Sequence, residues 1–183
     1  HNINISVFRS TEVLNIDIFS EGNKVEHNEF RFNYSFLPSV TGIYGNDYNR
    51  KKLRNTVLTE MPDIFVGILD AENLENDLFL ATQFIDMDAK LVLVIKNIKD
   101  KESINFNLLS SMTGVPVIAY NEEDDPGHDK LRSKILDTII KTHNDTYPNV
   151  RHIHINFGRV IENSISRIIK HLKKNKAADF SIS

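Results

Sequence analysis

Few residues in this sequence have the type and spacing to do chemistry. His152-x-His154 sets two imidazoles two residues apart, so in an extended segment they share a face and could accept a metal. Spacing fixes no third or fourth ligand, and a surface or packing role is the expectation. Asn97-x-x-Asp100 follows an apolar run, where such a pair ordinarily forms a polar turn capping the next helix. Glu122-Glu123-Asp124-Asp125 would repel phosphate and reads as a solvated loop. The basic stretch Lys170 to Lys176 could meet anionic lipid headgroups, but cations also suit a helix C-terminus, and a solvated helix end is expected. There is no cysteine, which excludes disulfides, thiolate metal sites and cysteine nucleophiles, and fits a reducing compartment.

The elements that must position these groups alternate between apolar runs and helical patterns. Asp63 to Asp70, Lys90 to Lys96 and Val115 to Tyr120 are strand-sized and apolar. Between and after them, Asn73 to Asp86, Asn105 to Met112 and Asp129 to Thr142 carry apolar residues at helical spacing, with Gly114 placed as a C′ glycine. Strand–helix alternation at this spacing implies parallel strands joined by crossover helices. Strands without polar alternation, such as 91–95, require a sheet covered on both faces.

The front of the chain reads differently. Asn15 to Ser20 and Glu29 to Leu37 predict an antiparallel hairpin joined through Glu21-Gly22-Asn23-Lys24, and Ile3 to Phe8 a further strand. Pro148 to Gly158 reads as a linker, and Val160 to Lys174 as an amphipathic helix with Ile161, Ile165, Ile168, Ile169 and Leu172 on one side.

The chain has 183 residues, 40 % hydrophobic and 26 % charged, which fits one globular domain and excludes a disordered chain, a coiled coil or a collagen-like repeat. A net charge of −3 gives no general pull toward nucleic acid. No run approaches the ~18 apolar residues of a membrane helix. Beginning at His1 rather than Met, and without a signal-peptide pattern, the chain is expected to be a fragment.

Asp70-Ala-Glu-Asn-Leu-Glu-Asn-Asp-Leu-Phe-Leu-Ala-Thr-Gln83, directly after an apolar strand, resembles the corresponding segment of the G domain of ferrous iron transport protein B (FeoB). The neighbours agree in order: Glu60-Met-Pro-Asp63 before it, Asn97-Ile-Lys-Asp100 where the family has its guanine-reading Asn-x-x-Asp, and Leu109-Ser-Ser-Met-Thr-Gly-Val-Pro-Val117 after it. Phe157-Gly-Arg-Val-Ile-Glu-Asn-Ser-Ile165 is similar to the start of the helical spacer that follows that domain. The resemblance covers residues 15–170 and is specific in 60–118. It implies a three-layer α/β fold of the P-loop GTPase type, mostly parallel, with an antiparallel edge hairpin and a C-terminal helix. It implies a G domain over 1–147, a linker and helix over 148–183, and a cytoplasmic location on the inner face of the membrane that holds a parent transporter. Asn97 and Asp100 would be the inherited guanine contacts, the Asp accepting from the base N1–H and 2-amino group.

The departures fall on the chemistry. The phosphate-binding string G-x-x-x-x-G-K-[ST] occurs nowhere, and after Ile3 to Phe8 the chain offers only Arg9-Ser10-Thr11, about 25 residues short of a loop, first helix and switch. The family's Asp-Leu-Pro-Gly, whose Asp holds Mg²⁺ through water and whose Gly senses the γ-phosphate, reads Phe36-Leu37-Pro38-Ser39. A phenyl ring cannot coordinate a hard cation. Ala119-Tyr120-Asn121 is a poor match to the family's base-supporting loop. The expectation is a degenerate G domain, with no cofactor, no catalytic residue and no metal, related to iron transport and acting by protein contact. GDP or GTP with Mg²⁺ is expected only under the alternative, a working GTPase. Without a first helix, one sheet face is expected to need the 160–174 helix, a second copy or a partner to cover it.

Overall fold

The computed structural model describes residues 1–100, 104–127 and 129–145. The domain boundary at 147/148, the His152–His154 pair, the 160–174 helix and the basic stretch 170–176 lie outside these described residues.

Six strands form one sheet in the order β2-β3-β1-β4-β5-β6. They are β1 (Asn2–Phe8), β2 (Lys24–His27), β3 (Phe30–Phe36), β4 (Ile64–Asp70), β5 (Leu91–Lys96) and β6 (Val117–Ala119). Only the edge pair β2–β3 is antiparallel. Four helices complete the fold: α1 (Tyr48–Glu60), α2 (Leu74–Asp86), α3 (Phe106–Thr113) and α4 (Asp129–Asn144). This is the three-layer, mostly parallel arrangement with an antiparallel edge hairpin that the sequence implies.

The apolar runs are explained by burial on two sides. In β4, Ile64, Val66 and Ile68 face one core and Phe65 and Leu69 the other; in β5, Val92 and Val94 oppose Leu91, Leu93 and Ile95. One core is closed by α4 through Ile135, Leu136 and Ile139, the other by α1, α2 and α3 through Leu53, Leu78, Phe84 and Leu109. Gly114, with φ 72°, ends α3 as the C′ glycine the sequence places there.

Three features differ from the sequence expectation. The first strand of the hairpin is Lys24–His27, not Asn15 to Ser20, and the turn is Asn28-Glu29, both with positive φ (47° and 68°). Two such residues are what a tight hairpin turn matched to strand twist requires. Asn15 to Ser20 instead contains a 3₁₀ turn, Asp17–Phe19, and its alternating Ile16 and Ile18 are buried against the sheet rather than paired in it. A two-residue alternation does not distinguish a strand from a segment lying across one. Helix α1 goes unannounced because it is polar and buries only Leu53. Finally, the sheet face without a crossover helix after β1 carries a segment of the chain that the sequence reading did not place there. Leu14, Ile16, Ile18 and Phe19 of the chain itself, each 5 % exposed or less, fill that space.

One close approach sets the spacing of the second core. The Phe8 ring stacks on Phe84 with centroids 3.9 Å apart and planes 6° apart. Gly67 of β4 lies beneath Phe8; a Cβ there would meet Phe8 Cε2 at 2.7 Å and Leu93 Cδ2 at 2.9 Å. Gly67→Ala is therefore expected to displace the ring and destabilise the domain by about 1–3 kcal/mol in urea unfolding. Gly22→Ala, with open space but φ +64°, is expected to cost less, about 1 kcal/mol of backbone strain.

Candidate functional site

The carboxyl ends of the parallel strands are where open α/β sheets bind ligands. Here they carry Arg9 after β1, Phe36 ending β3, Asp70 ending β4, Lys96 and Asn97 at β5, and Tyr120 after β6.

The guanidinium carbon of Arg9 lies 3.9 Å from the centroid of the Phe36 ring. The register explains this: Val7 pairs with Phe36, so Arg9 leaves β1 beside the ring. Arg9 Nη1 donates to Leu14 O at 3.0 Å, turning the chain back across the strand ends. Burial lowers the Arg9 pKa, with Glu12 opposing, and a guanidinium stays charged under such a shift.

The returning segment 14–19 forms a strap. Asn15 Nδ2 donates to Phe19 O at 3.1 Å and Phe19 N to Ile16 O at 3.1 Å. Lys96 Nζ reaches across from β5 and donates to Asn15 O at 2.6 Å, while pairing with Glu122 Oε1 at 3.4 Å. Asp17 N donates to the Tyr120 hydroxyl at 3.4 Å. Tyr120 is only 2 % exposed, and burial raises its phenol pKa. The chain's own backbone thus runs from the end of β1 to the ends of β5 and β6, where Lys96 and Tyr120 bond it. Glu122, expected as part of a solvated loop, is exposed yet tied to Lys96; Glu123 and Asp124 are exposed with it in the 3₁₀ turn Glu122–Asp124.

At the end of β4 stands a polar knot. Asp77, 1 % exposed, accepts from Asp70 N at 2.8 Å and from Asn73 Nδ2 at 3.3 Å, and Ser10 also bonds it. Asp70 Oδ1 accepts from Glu72 N at 2.9 Å and from Asn97 Nδ2 at 3.2 Å. Asn97 sits at φ 60°, which an Asn tolerates better than most residues. Its amide is therefore turned to the end of β4. Asp100 is exposed in the same turn. Lys99 Nζ meets Glu72 Oε1 at 2.6 Å, and that hydrogen bond holds the Lys99 pKa up. Asn97 and Asp100 both stand exposed after β5, and the cap of the next helix is Asn105, whose side chain accepts from Leu108 N at 3.0 Å. The structure adds Arg9, Lys96 and the strap, which sequence reasoning missed. A cation directly after β1 was the available signal for Arg9; nothing local signals that Lys96 bridges to Asn15. Among the described residues, no three or more of His, Cys, Asp and Glu are grouped to hold a metal ion. No helix of the described residues is long and apolar enough to cross a membrane.

Two outcomes follow. Lys96→Met removes a charged donor that is one-quarter exposed, and is expected to lower unfolding stability by about 1–2 kcal/mol. Burial raises the Asp77 pKa above its ordinary 3.8. The folded state then holds a proton that the unfolded chain has released, so stability falls as pH rises from that value through the raised pKa and levels off above it. Asp77→Asn is expected to flatten the fall in urea midpoint from about pH 4 upward, leaving the part due to Asp86, whose pKa burial also raises.

A family model described as ferrous iron transport protein B matches residues 20–135. The Fe(2+) transport protein A/Fe(2+) transporter FeoB fusion protein of Porphyromonas gingivalis is 25 % identical over 171 residues, which is 90 % of this chain and 19 % of that protein. The structure of the FeoB G-domain from Methanococcus jannaschii superposes with a TM-score of 0.62 at 24 % identity, over 76 % of this chain and 98 % of that one. The cytosolic domain of the T. maritima FeoB iron transporter in its GMPPNP form gives 0.64 at 17 % identity, over 96 % of this chain and 76 % of that one. At those identities the two structural matches speak for the fold. The family match spans most of the chain, and its strand order and helix placement agree with that fold: this chain belongs to the ferrous iron transport protein B (FeoB) family.

Proposed function

We propose that this chain is a G-domain module of a ferrous iron transporter that keeps the fold and has given up nucleotide chemistry, acting in regulation through protein contact on the cytoplasmic side of the membrane. The observation that carries the reading is the Arg9–Phe36 stack, 3.9 Å deep, at the ends of adjacent strands β1 and β3. The resemblance puts the opening of the phosphate loop at the first position and the Mg²⁺-anchoring Asp at the second. Phosphoryl transfer depends on positioned charge: backbone N–H groups and a lysine around the phosphates, oxygen ligands on Mg²⁺. Neither position supplies these groups, no lysine lies between Phe8 and Ser20, and Ser10 is engaged with Asp77. The residues at these strand ends do not fit a magnesium nucleotide. The strap held by Lys96 and Tyr120 supports the same reading, because it lies across the strand ends.

A second reading rests on one specific feature. Asn97 and Asp100 stand in the turn after β5, and a T. maritima relative is described with GMPPNP. Under it, this chain is a GTP-binding domain that reads guanine through those two residues.

Calorimetric titration of the 183-residue chain with GDP and GMPPNP, with and without Mg²⁺, separates the two. No heat at millimolar nucleotide is expected. Micromolar binding that requires Mg²⁺, and is lost in Asp100→Ala, would overturn the proposal in favour of the GTPase.

A further inference from the structure

Between β3 and α1 the chain runs through Thr41 to Asp47 with neither strand nor helix, yet two of these residues, Gly42 and Ile43, are buried. Buried backbone must find hydrogen bonds, and in this loop side chains from the two neighbouring helices supply them. Ile43 N donates to Gln83 Oε1 at 2.6 Å, the Gln83 side chain coming from α2 and being 5 % exposed as a residue. Ile43 O accepts from Arg54 Nη1 at 2.7 Å. Arg50 does the most. Its Nε donates to Gly42 O at 2.9 Å and its Nη2 to Thr41 Oγ1 at 3.1 Å, at one end of the loop. Its Nη1 donates to Asp47 Oδ1 at 2.7 Å, at the other end.

One planar guanidinium therefore joins the two ends of a seven-residue turn, and Asp47 in addition caps α1 by accepting from Arg50 N at 3.3 Å. Gly45, at φ +151°, lets the loop pass over the arginine stem: a Cβ there would lie 2.7 Å from Arg50 Cδ. The Arg50 hydrogen bonds hold the Asp47 carboxyl below its ordinary range, as expected of a formed clasp. All partners of this loop named here belong to the chain.

We propose that Arg50 is the pin of a built-in latch that holds the 41–47 loop in one closed conformation without any ligand. The loop follows Ser39, which occupies the place of the family's γ-phosphate-sensing Gly, so the latch makes that region's conformation independent of nucleotide. The face it fixes includes Tyr44 and the start of α1. The proposal concerns the loop and stands whether or not nucleotide binds at the strand ends. A lysine cannot replace the pin, because a point charge lacks the three fixed donors of the fork.

Hydrogen–deuterium exchange on the 183-residue chain, read over peptides covering 41–47, tests it. In wild type the buried Ile43 amide, which donates to Gln83, is expected to exchange slowly, with no change on adding millimolar GMPPNP and Mg²⁺. Arg50→Ala and Arg50→Lys are each expected to speed it roughly tenfold or more, which corresponds to about 1.4 kcal/mol of lost closing free energy. Peptides from β4 and β5 should stay as protected as in wild type, which shows that the fold survives. Arg50→Lys serves as the second variant if Arg50→Ala unfolds. Fast exchange of the Ile43 amide in wild type overturns the latch, as does protection that appears only with nucleotide or a lysine variant as protected as wild type. If calorimetry finds tight nucleotide binding while the loop stays protected in both states, the latch is supported and the preceding functional reading falls. A loop that is loose with no nucleotide bound does the reverse.

Discussion

A parallel sheet that is apolar on both faces has to be covered on both faces, and everything else in this domain follows from how that is done. On one side three helices lie over Phe65, Leu69, Leu91, Leu93 and Ile95. On the other side α4 covers the half of the sheet nearest β6, and among the described residues no helix lies over the half near β1 and β3. Leu14, Ile16, Ile18 and Phe19 close that gap with six residues of chain. A segment so short cannot satisfy its own backbone as a helix does, so it borrows partners: Arg9 for Leu14 O, Lys96 for Asn15 O, the Tyr120 hydroxyl for Asp17 N. Those partners stand at the strand carboxyl ends. The solution to a packing problem therefore occupies the edge where folds of this kind hold ligands.

The same economy recurs on the opposite side of β3. There the Thr41–Asp47 loop is ordered by arginines and a glutamine rather than by backbone ladders. In both irregular segments a long cationic side chain from outside the segment donates to its backbone carbonyls: Arg9 and Lys96 in one, Arg50 and Arg54 in the other. Bonds of this sort depend on side-chain geometry, and arginine is suited to them because its fork is planar and preorganised. The central strands need no such help. Gly67 admits the Phe8 ring and Phe8 stacks on Phe84, so apolar contact joins the sheet to α2, with Asp77 of α2 accepting from Asp70 N at the end of β4.

Much of this was legible from residue order. The runs at 64–70 and 91–96 announce buried parallel strands because a doubly covered strand tolerates no polar face. The helices after them follow from their apolar spacing and, for α3, from the glycine at 114. The segment from Asp70 to Gln83 carries the family resemblance, and its strand and helix are β4 and α2. Phe36 in place of a carboxylate needs no coordinates to be read as the loss of a cation ligand.

The sequence by itself determined five of the six strands, most helices, the family resemblance and the missing phosphate-loop string, because each is a local pattern or the absence of one. Only the tertiary structure decided what stands at the strand ends. Ile16 and Ile18 look like a strand until the sheet shows them lying across it, since a period of two reports alternating burial and not pairing. Helix α1 buries a single leucine, too little to mark a helix in one dimension. Lys96 and Asn15 are 81 residues apart, and Arg50 spans two ends of a loop that has no pattern of its own. Such contacts are set by the register of parallel strands and the direction of long side chains, and neither is written in the residues that make them.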